Sequence, residues 1–273
     1  MIRDRPVTAR RFSARMTRVG EDFESALRSV AIAAPDDIRP AAVSLRDFAW
    51  RRGGFRVAAC HNIASKRPMT DAEGELLATS VFGWTSSDPW WCSPLLALSS
   101  PLPAACRFES EPFWCNAAGF HVRLPNPQLD EIDRTDFAAR AFTRAAILVP
   151  VHLPFGQIGA VSFTLRDKES DDLSEEFEAH ATPLGLLARQ FIAGYARLRA
   201  EPRRLPPTSP LTKREVECLK WTAAGKTDVE ISMILALSRA TVRFHLRNAS
   251  RKLNAVNKSQ VLFKAAQLGY VTI

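Results

Sequence analysis

Two patterns of hydrophobic and polar positions divide the chain near residue 200. In the first part, short runs rich in Val, Ile and Phe predict strands at 54–60, 120–124, 145–153 and 159–165. Helical spacing predicts helices at 20–33, 40–52, 69–80, 128–143 and 172–199, the last with Pro183 as a candidate point of interruption. The sequence PFGQI, which contains Gly156, separates the last two strands and predicts an antiparallel hairpin. Locally paired strands among helices predict an α+β domain, with an α-β-α sandwich around an antiparallel sheet.

The last 63 residues show a different pattern, in which polar caps separate four short helices. Thr212 with Glu215, and Thr227 with Glu230, form capping boxes that begin the first and second helices. The remaining cap and stop residues are Gly225, Ser238, Asn254, Asn257 with Gln260, and Gly269. Four short helices with a three-residue turn between the second and third predict an all-α helix-turn-helix domain over 211–273.

The two parts meet in the sequence RAEPRRLPPTSP, residues 199–210. Its four prolines predict a semi-rigid linker after a first domain at 1–198. Residues 1–19 are rich in Arg but precede no apolar stretch, so they do not resemble a secretory signal. We expect them to form a disordered leader, and a transit peptide is the alternative.

Charge is distributed unevenly between the two parts. Residues 203–273 contain 13 Lys and Arg against 4 Asp and Glu, a net charge of +9, whereas the whole chain carries +8. The entire positive excess therefore lies in the last quarter of the chain, which is typical of a nucleic-acid-binding module attached to a neutral domain.

Other residue types exclude several classes of protein. Five cysteines without a CxxC pair argue against a disulfide framework, and five scattered histidines lack metal-ligand spacing. No run of 18 apolar residues predicts a membrane span. We therefore expect a cytoplasmic protein without metal, cofactor or membrane attachment. An enzyme with a DNA-binding tail is the rival class, but no convergent nucleophile and base are evident.

The sequence TVRFHLRNASRKL, residues 241–253, shows how the third helix of the module would be used. An apolar stripe of Val242, Leu246, Ala249 and Leu253 lies beside arginines spaced four residues apart. We expect the stripe to dock the helix on its own domain and the arginines to face DNA.

The whole module resembles the LuxR-type DNA-binding domain. The elements LT-REVE-L, W-A-GKT--EIS-IL, TV-FH--NA--KL and A--LGY occur in the order and spacing of that family, and the variants resemble its quorum-sensing branch. The resemblance implies that Arg243 and Arg247 contact base edges, where arginine can bond guanine O6 and N7 together. It further implies phosphate contacts by Lys226, Thr227, Ser238, Arg239, Thr241 and Lys258. It also implies a homodimer, formed partly through residues 258–268, on an inverted-repeat site in double-stranded DNA.

Two sensor types of that family are candidates for the first domain. A phospho-receiver is excluded because Asp36 and Asp37 follow no strand and no lysine occurs between Lys66 and Lys168. The elements SDPWW, EPFWC and ILVPVHLPFGQIGAVSF resemble the autoinducer-binding domain instead. By this resemblance Asp88 accepts a bond from the amide of an acyl-homoserine lactone, Trp114 packs on or bonds the lactone ring, and Ser162 lines the pocket.

The first domain departs from that family's pattern at several positions. Glu75 stands where a pocket Trp is usual, no tyrosine precedes Tyr195, and 26 residues separate Asp88 from Trp114. Trp84, Trp90 or Trp91 are candidates to replace the missing aromatic residues. We therefore expect a dimeric transcription regulator controlled by a small hydrophobic signal such as an acyl-homoserine lactone. The alternative is an orphan regulator with another ligand, or none, whose first domain serves dimerisation or partner binding.

Overall fold

The computed structural model describes residues 22–65, 67–85, 99–166, 170–199 and 210–271. The chain divides into two compact units, the first of which ends at Arg199. The predicted leader at 1–19 lies outside the described residues, as does nearly all of the predicted linker.

A five-stranded antiparallel sheet forms the centre of the first unit. Its strands are β1 (Phe55–Cys60), β2 (Phe113–Asn116), β3 (Phe120–His121), β4 (Ala145–His152) and β5 (Ile158–Leu165). They lie in the order β1-β5-β4-β2-β3. The predicted hairpin is confirmed, since β4 and β5 pair antiparallel from Ile147 opposite Phe163 to His152 opposite Ile158.

Seven helices accompany this sheet among the described residues of the first unit. They are α1 (22–29), α2 (Ile38–Gly53), α3 (Leu77–Ser80), α4 (Pro101–Phe108), α5 (Pro127–Asp130), α6 (Phe137–Ala141) and α7 (Ser174–Arg199). Because successive side chains of a strand point to opposite faces, the sheet contributes to two separate cores. One core packs Val57, Ile147 and Phe163 against α2 and α7. The other packs Phe113, Cys115 and Leu148 with residues of α4, α5 and α6.

Several predicted elements of the first unit were wrong in extent. The helix predicted over 69–80 is helical only at Leu77–Ser80, because the Asp71 carboxylate accepts backbone N–H bonds from Glu73 and Glu75 and holds a turn. The helix predicted over 128–143 is split into α5 and α6, and the strand predicted over 120–124 is confined to β3. Strand β2 and helix α4 were not predicted.

Helix α7 continues through Pro183 without a break, so the candidate interruption there is not observed. Its apolar face carries Leu184, Leu187, Phe191 and Ile192, all of which are fully buried. Burial of four large apolar side chains stabilises the fold by about 1.5–3 kcal/mol each. This stabilisation is comparable with or larger than the cost of about 3 kcal/mol for proline in a helix interior.

The second unit contains four helices within residues 210–271. They are α8 (Lys213–Ala223), α9 (Asp228–Ile234), α10 (Arg239–Lys252) and α11 (Lys258–Gln267). Each predicted N-cap is present, because the side chains of Thr212, Thr227, Ser238 and Asn257 accept a backbone N–H from the first turn. The predicted stops at Gly225, Asn254 and Gly269 all have positive φ, which ends a helix.

The apolar stripe of α10 docks that helix on its own unit, as predicted. Ala249 and Leu253 are buried with Leu219 of α8 and Val261 of α11. Val242 is buried with Cys218 and Ile231, and Leu246 is partly buried between the two clusters. The predicted fold class, an α+β sandwich followed by an all-α helix-turn-helix unit, is confirmed.

Candidate DNA-binding surface and ligand cavity

Helix α10 presents an exposed cationic face opposite its buried stripe. Arg239, Arg243 and Arg247 are all exposed, and Phe244 lies among them with half of its surface accessible. The four-residue spacing of these arginines keeps them on one side of the helix. Helices α9 and α10 form the helix-turn-helix pair, in which the second helix is the one that enters the major groove.

An ion pair links the two helices of this pair on the same surface. The Nε of Arg243 donates to Oδ2 of Asp228 at 3.0 Å. Asp228 is the first residue of α9, where a carboxylate also interacts favourably with the helix dipole. The pair uses one donor of the guanidinium, and the Nη groups are the donors that would bond a base edge.

The residues expected to contact phosphates lie at helix starts. Thr227 and Ser238 are the N-caps of α9 and α10, and Lys258 is the first residue of α11. The hydroxyls of Ser238 and Thr241 lie 2.8 Å apart, and Lys226 pairs with Glu230 at 3.5 Å. Helix N-termini and cations bind phosphate oxygens, so these positions are suited to contacts along a DNA backbone.

A half-buried ion pair joins the two ends of the unit's longest contact. Lys252, at the end of α10, lies 3.0 Å from Oε2 of Glu215, whose side chain is only 4% exposed. Burial alone would raise the pKa of Glu215, but the backbone N–H of Thr212 and the Lys252 ammonium outweigh it and hold that pKa below its ordinary value. The carboxylate therefore stays ionised and fixes α10 against α8.

Helix α11 exposes apolar side chains that its own unit does not cover. Phe263 is 60% exposed, and Val256 and Leu268 near the two ends of the helix are also exposed. Exposed apolar residues clustered on one element are typical of an interaction surface. They lie in the segment 258–268 and beside it, where the family resemblance implies dimerisation.

The first unit contains a cavity of about 590 Å³ on the α4 and α6 side of the sheet. Its floor is formed by Ala58, Cys60, Leu148, Ala160 and Ser162, and its walls include Leu77, Phe82, Leu102, Ala141 and Phe142. A mostly apolar cavity of this volume falls within the range of about 300–1,000 Å³ that small ligands occupy.

Ser162 and Trp84 are the predicted ligand-binding residues that the structure brings to this cavity. Ser162 lies on β5 opposite Ala58 of β1 and Leu148 of β4, so its hydroxyl is on the cavity face. Trp84 follows α3, and its indole N–H donates to the backbone oxygen of Val57 at 2.6 Å. That bond fixes the indole beside the first strand.

Trp114 is not brought to the cavity, contrary to the expected contact with a lactone ring. It pairs with Ile147 on β4, and both side chains lie in the core on the α7 side of the sheet. Its ring stacks on His121 with a centroid distance of 3.7 Å. The strand alternation that places Phe113 and Cys115 on the cavity side of the sheet necessarily turns Trp114 away from it.

Asp88, Trp90 and Trp91 lie outside the described residues. Among the residues that are described, no group of His, Cys, Asp or Glu could hold a metal ion. No helix of the described part is both long and apolar enough to cross a membrane.

Arg56 is a cavity residue that sequence reasoning missed. Its guanidinium lies over the Trp84 ring, 4.0 Å from the ring centroid, and the residue borders the cavity with Cys60 and Cys106. Burial raises the pKa of the Cys60 thiol to about 12 and that of Cys106 well above the usual value, so both act as apolar lining. The alternation Phe55, Arg56, Val57, Ala58 carried the signal for Arg56, since a charge between buried strand residues must face the opposite side.

Comparison with known protein families agrees with both units. Residues 51–193 match the family described as the autoinducer binding domain, and residues 209–265 match the luxR family of bacterial regulatory proteins. The first of these matches alone covers more than half of the chain.

Individual relatives agree with these assignments. The chain is 28% identical to the transcriptional activator protein AhyR of Aeromonas hydrophila over 79% of this chain and 78% of AhyR. It is 38% identical to the transcriptional activator protein VanR of Vibrio anguillarum over 47% of this chain, an alignment that spans about half of VanR, 52% of its length. The crystal structure of Escherichia coli SdiA aligns with 96% of this chain and 99% of SdiA, at 25% identity and a TM-score of 0.44. The chain therefore belongs to the luxR family of bacterial regulatory proteins, and its first domain belongs to the autoinducer-binding family.

Proposed function

We propose that this protein is a dimeric, DNA-binding transcriptional regulator whose first domain binds a small, mostly apolar signal. The observation that carries the proposal is the exposed face of α10, where Arg243 and Arg247 stand free of the buried stripe on the second helix of a helix-turn-helix. Double-stranded DNA with an inverted-repeat site is the proposed partner, since a two-fold dimer presents two such helices.

The cavity supports control by a signal over the ligand-independent alternative. A first domain that served only dimerisation would have no need of an apolar cavity of about 590 Å³ beside Ser162 and Trp84. A signal that binds the folded dimer stabilises it by mass action and so changes the occupancy of DNA. We propose regulation rather than catalysis, with the cytoplasm as the place of action because bacterial DNA lies there.

The DNA-binding half is tested by selecting sites from random duplexes with the full-length protein and measuring affinity by fluorescence anisotropy. We expect an inverted repeat to emerge and to bind at least ~10³-fold more tightly than random DNA. The double variant Arg243→Ala, Arg247→Ala should lose that preference. Arg189→Ala, which removes an exposed arginine on α7 in the first unit, is the control and should retain it. Selection of no sequence would contradict the proposal.

The sensing half is tested by thermal unfolding of the full-length protein with acyl-homoserine lactones of graded chain length and with an aromatic-acyl analogue. A rise in Tm that depends on ligand concentration supports a sensor. Ser162→Leu, which would fill the cavity floor, should abolish the rise while leaving DNA binding intact. No rise with any ligand would favour the orphan regulator.

A further inference from the structure

The cavity carries a feature that a pocket for a neutral signal does not require: its described lining is cationic. Arg56, Arg67 and Arg144 border it, whereas no Asp or Glu does so among the described residues. Arg67 and Arg144 are exposed near its edge, and Arg56 is half-buried beside its floor.

Arg56 is positioned by the register of the sheet. It lies opposite Thr164 on β5, in the same alternation as Ala58 opposite Ser162. The guanidinium of Arg56 and the hydroxyls of Thr164 and Ser162 therefore belong to one face of two adjacent strands. All three residues line the cavity, and Thr164 is itself 7% exposed.

Trp84 holds this arginine in place without neutralising it. The indole N–H is bonded to Val57, and the guanidinium lies 4.0 Å above the ring centroid in a cation–π contact. Arg56 also donates to the backbone oxygen of Gly83 at 3.5 Å, a long bond to a neutral acceptor. Its full positive charge is thus directed by neutral partners, which leaves the charge available to an anion.

We propose that the ligand of this cavity is an amphiphile with an apolar tail and one carboxylate, which Arg56 binds with help from the hydroxyls of Ser162 and Thr164. This inference rests on the proposed signal-binding function and specifies the chemistry of the signal. The apolar walls from α3, α4 and α6 accept the tail, as in other small-molecule sites. A carboxylate suits the guanidinium because two parallel charge-assisted bonds can form between the two planar groups.

A matched pair of probes tests the charge directly. N-decanoyl-homoserine lactone and its hydrolysed form, N-decanoyl-homoserine, have the same tail and amide, but only the second carries a carboxylate. Decanoic acid and methyl decanoate form a second pair. Isothermal titration calorimetry with the full-length protein should give a Kd at least about tenfold lower for the acid than for its neutral partner in each pair.

Variants assign the preference to Arg56. Arg56→Met keeps the apolar stem and should remove the preference for the acid, while Arg56→Lys keeps the charge and should retain part of it. Arg51→Met removes an exposed arginine of α2 and should leave the preference unchanged. Circular dichroism would verify that each variant is folded, and the lysine variant keeps the test decisive if the methionine variant is not.

The outcomes separate this inference from the function on which it rests. Equal or tighter binding of the neutral member in both pairs would overturn the carboxylate preference and leave a sensor of neutral signals. Binding of neither member would overturn both the signal-binding function and the inference. Preference for the acid that survives in Arg56→Met would remove Arg56 from the site and overturn the inference as stated.

Discussion

The Nε of Arg243 lies 3.0 Å from Oδ2 of Asp228, which joins the two helices of the helix-turn-helix on the surface proposed to meet DNA. The side chains are 59% and 26% exposed, so the pair contributes little to folding stability. Its effect is to limit the rotamers of Arg243 before DNA binds. A preorganised side chain loses less conformational entropy on binding than a free one.

Two variants of Asp228 should separate its charge from its positioning effect. Asp228→Asn removes a negative charge near the DNA backbone but keeps an acceptor for Arg243, so affinity for random DNA should rise while base preference is kept. Asp228→Ala should raise the affinity for random DNA similarly but reduce the ratio of specific to random affinity several-fold. Anisotropy titrations at one salt concentration measure both. An unchanged ratio in Asp228→Ala would show that the ion pair does not position Arg243.

Arg243→Ala should cost about 1–3 kcal/mol of binding free energy at the selected site and relax base preference at one position of each half-site. The reason is the loss of bonds to a base edge. Affinity for a set of single-base variants of the site measures the effect. Equal losses on the selected site and on random DNA would assign Arg243 to the phosphate backbone instead.

Lys258→Ala should weaken binding to all sequences by a similar factor, because Lys258 begins α11 and is expected to touch phosphate. The slope of log K against log salt should decrease in magnitude by about one unit for each site lost. A salt series on the wild type and the variant gives both slopes. If they coincide, this lysine contacts no phosphate.

The Glu215 and Lys252 pair should make the second unit sensitive to acid. The pKa of Glu215 is lower in the folded state, so its contribution to stability is complete above the ordinary glutamate pKa and is lost as pH falls through the lower folded value. Glu215→Gln should cost about 1–3 kcal/mol at pH 7 and flatten this loss.

Hydrogen exchange of segment 213–223 in the full-length protein, corrected for the intrinsic pH dependence of exchange, measures that stability locally. Glu217→Gln is the matched control, since Glu217 pairs with the half-exposed Arg214 and should cost less than about 1 kcal/mol. Identical pH profiles for wild type and Glu215→Gln would show that Lys252 gives Glu215 no stabilising charge.

Phe263→Asp should weaken dimerisation by roughly tenfold or more, because it places a charge in the apolar surface exposed on α11. Sedimentation equilibrium measures the dimer constant, and DNA binding should shift from an inverted repeat toward a single half-site. Leu124→Asp alters a more exposed apolar residue of the first unit and is the control. Unchanged dimerisation in Phe263→Asp would place the interface elsewhere.

The sequence predicted the second unit closely because its signals are local. Thr212, Thr227, Ser238 and Asn257 each bond an N–H three residues away, so the helix starts follow from adjacent letters of the sequence. No distant contact is needed to recognise them.

The cavity was predicted less well because it depends on register between distant strands. Whether Phe113 or Trp114 faces the cavity is decided by the pairing of β2 with β4, which begins more than 25 residues later. The role of Arg56 likewise depends on its approach to Trp84, 28 positions along the chain. Neither relationship has a periodic signature in the sequence.

The uninterrupted course of α7 through Pro183 has a mechanical consequence. A helix of 26 residues is about 39 Å long at 1.5 Å per residue, and it behaves as one stiff lever rather than two jointed segments. Its middle packs on the sheet whose other face floors the cavity, and it ends at Arg199, where the first unit ends. A tilt of one degree about one end would displace the other by about 0.7 Å, so a small adjustment of the sheet reaches that boundary amplified instead of being absorbed at a kink.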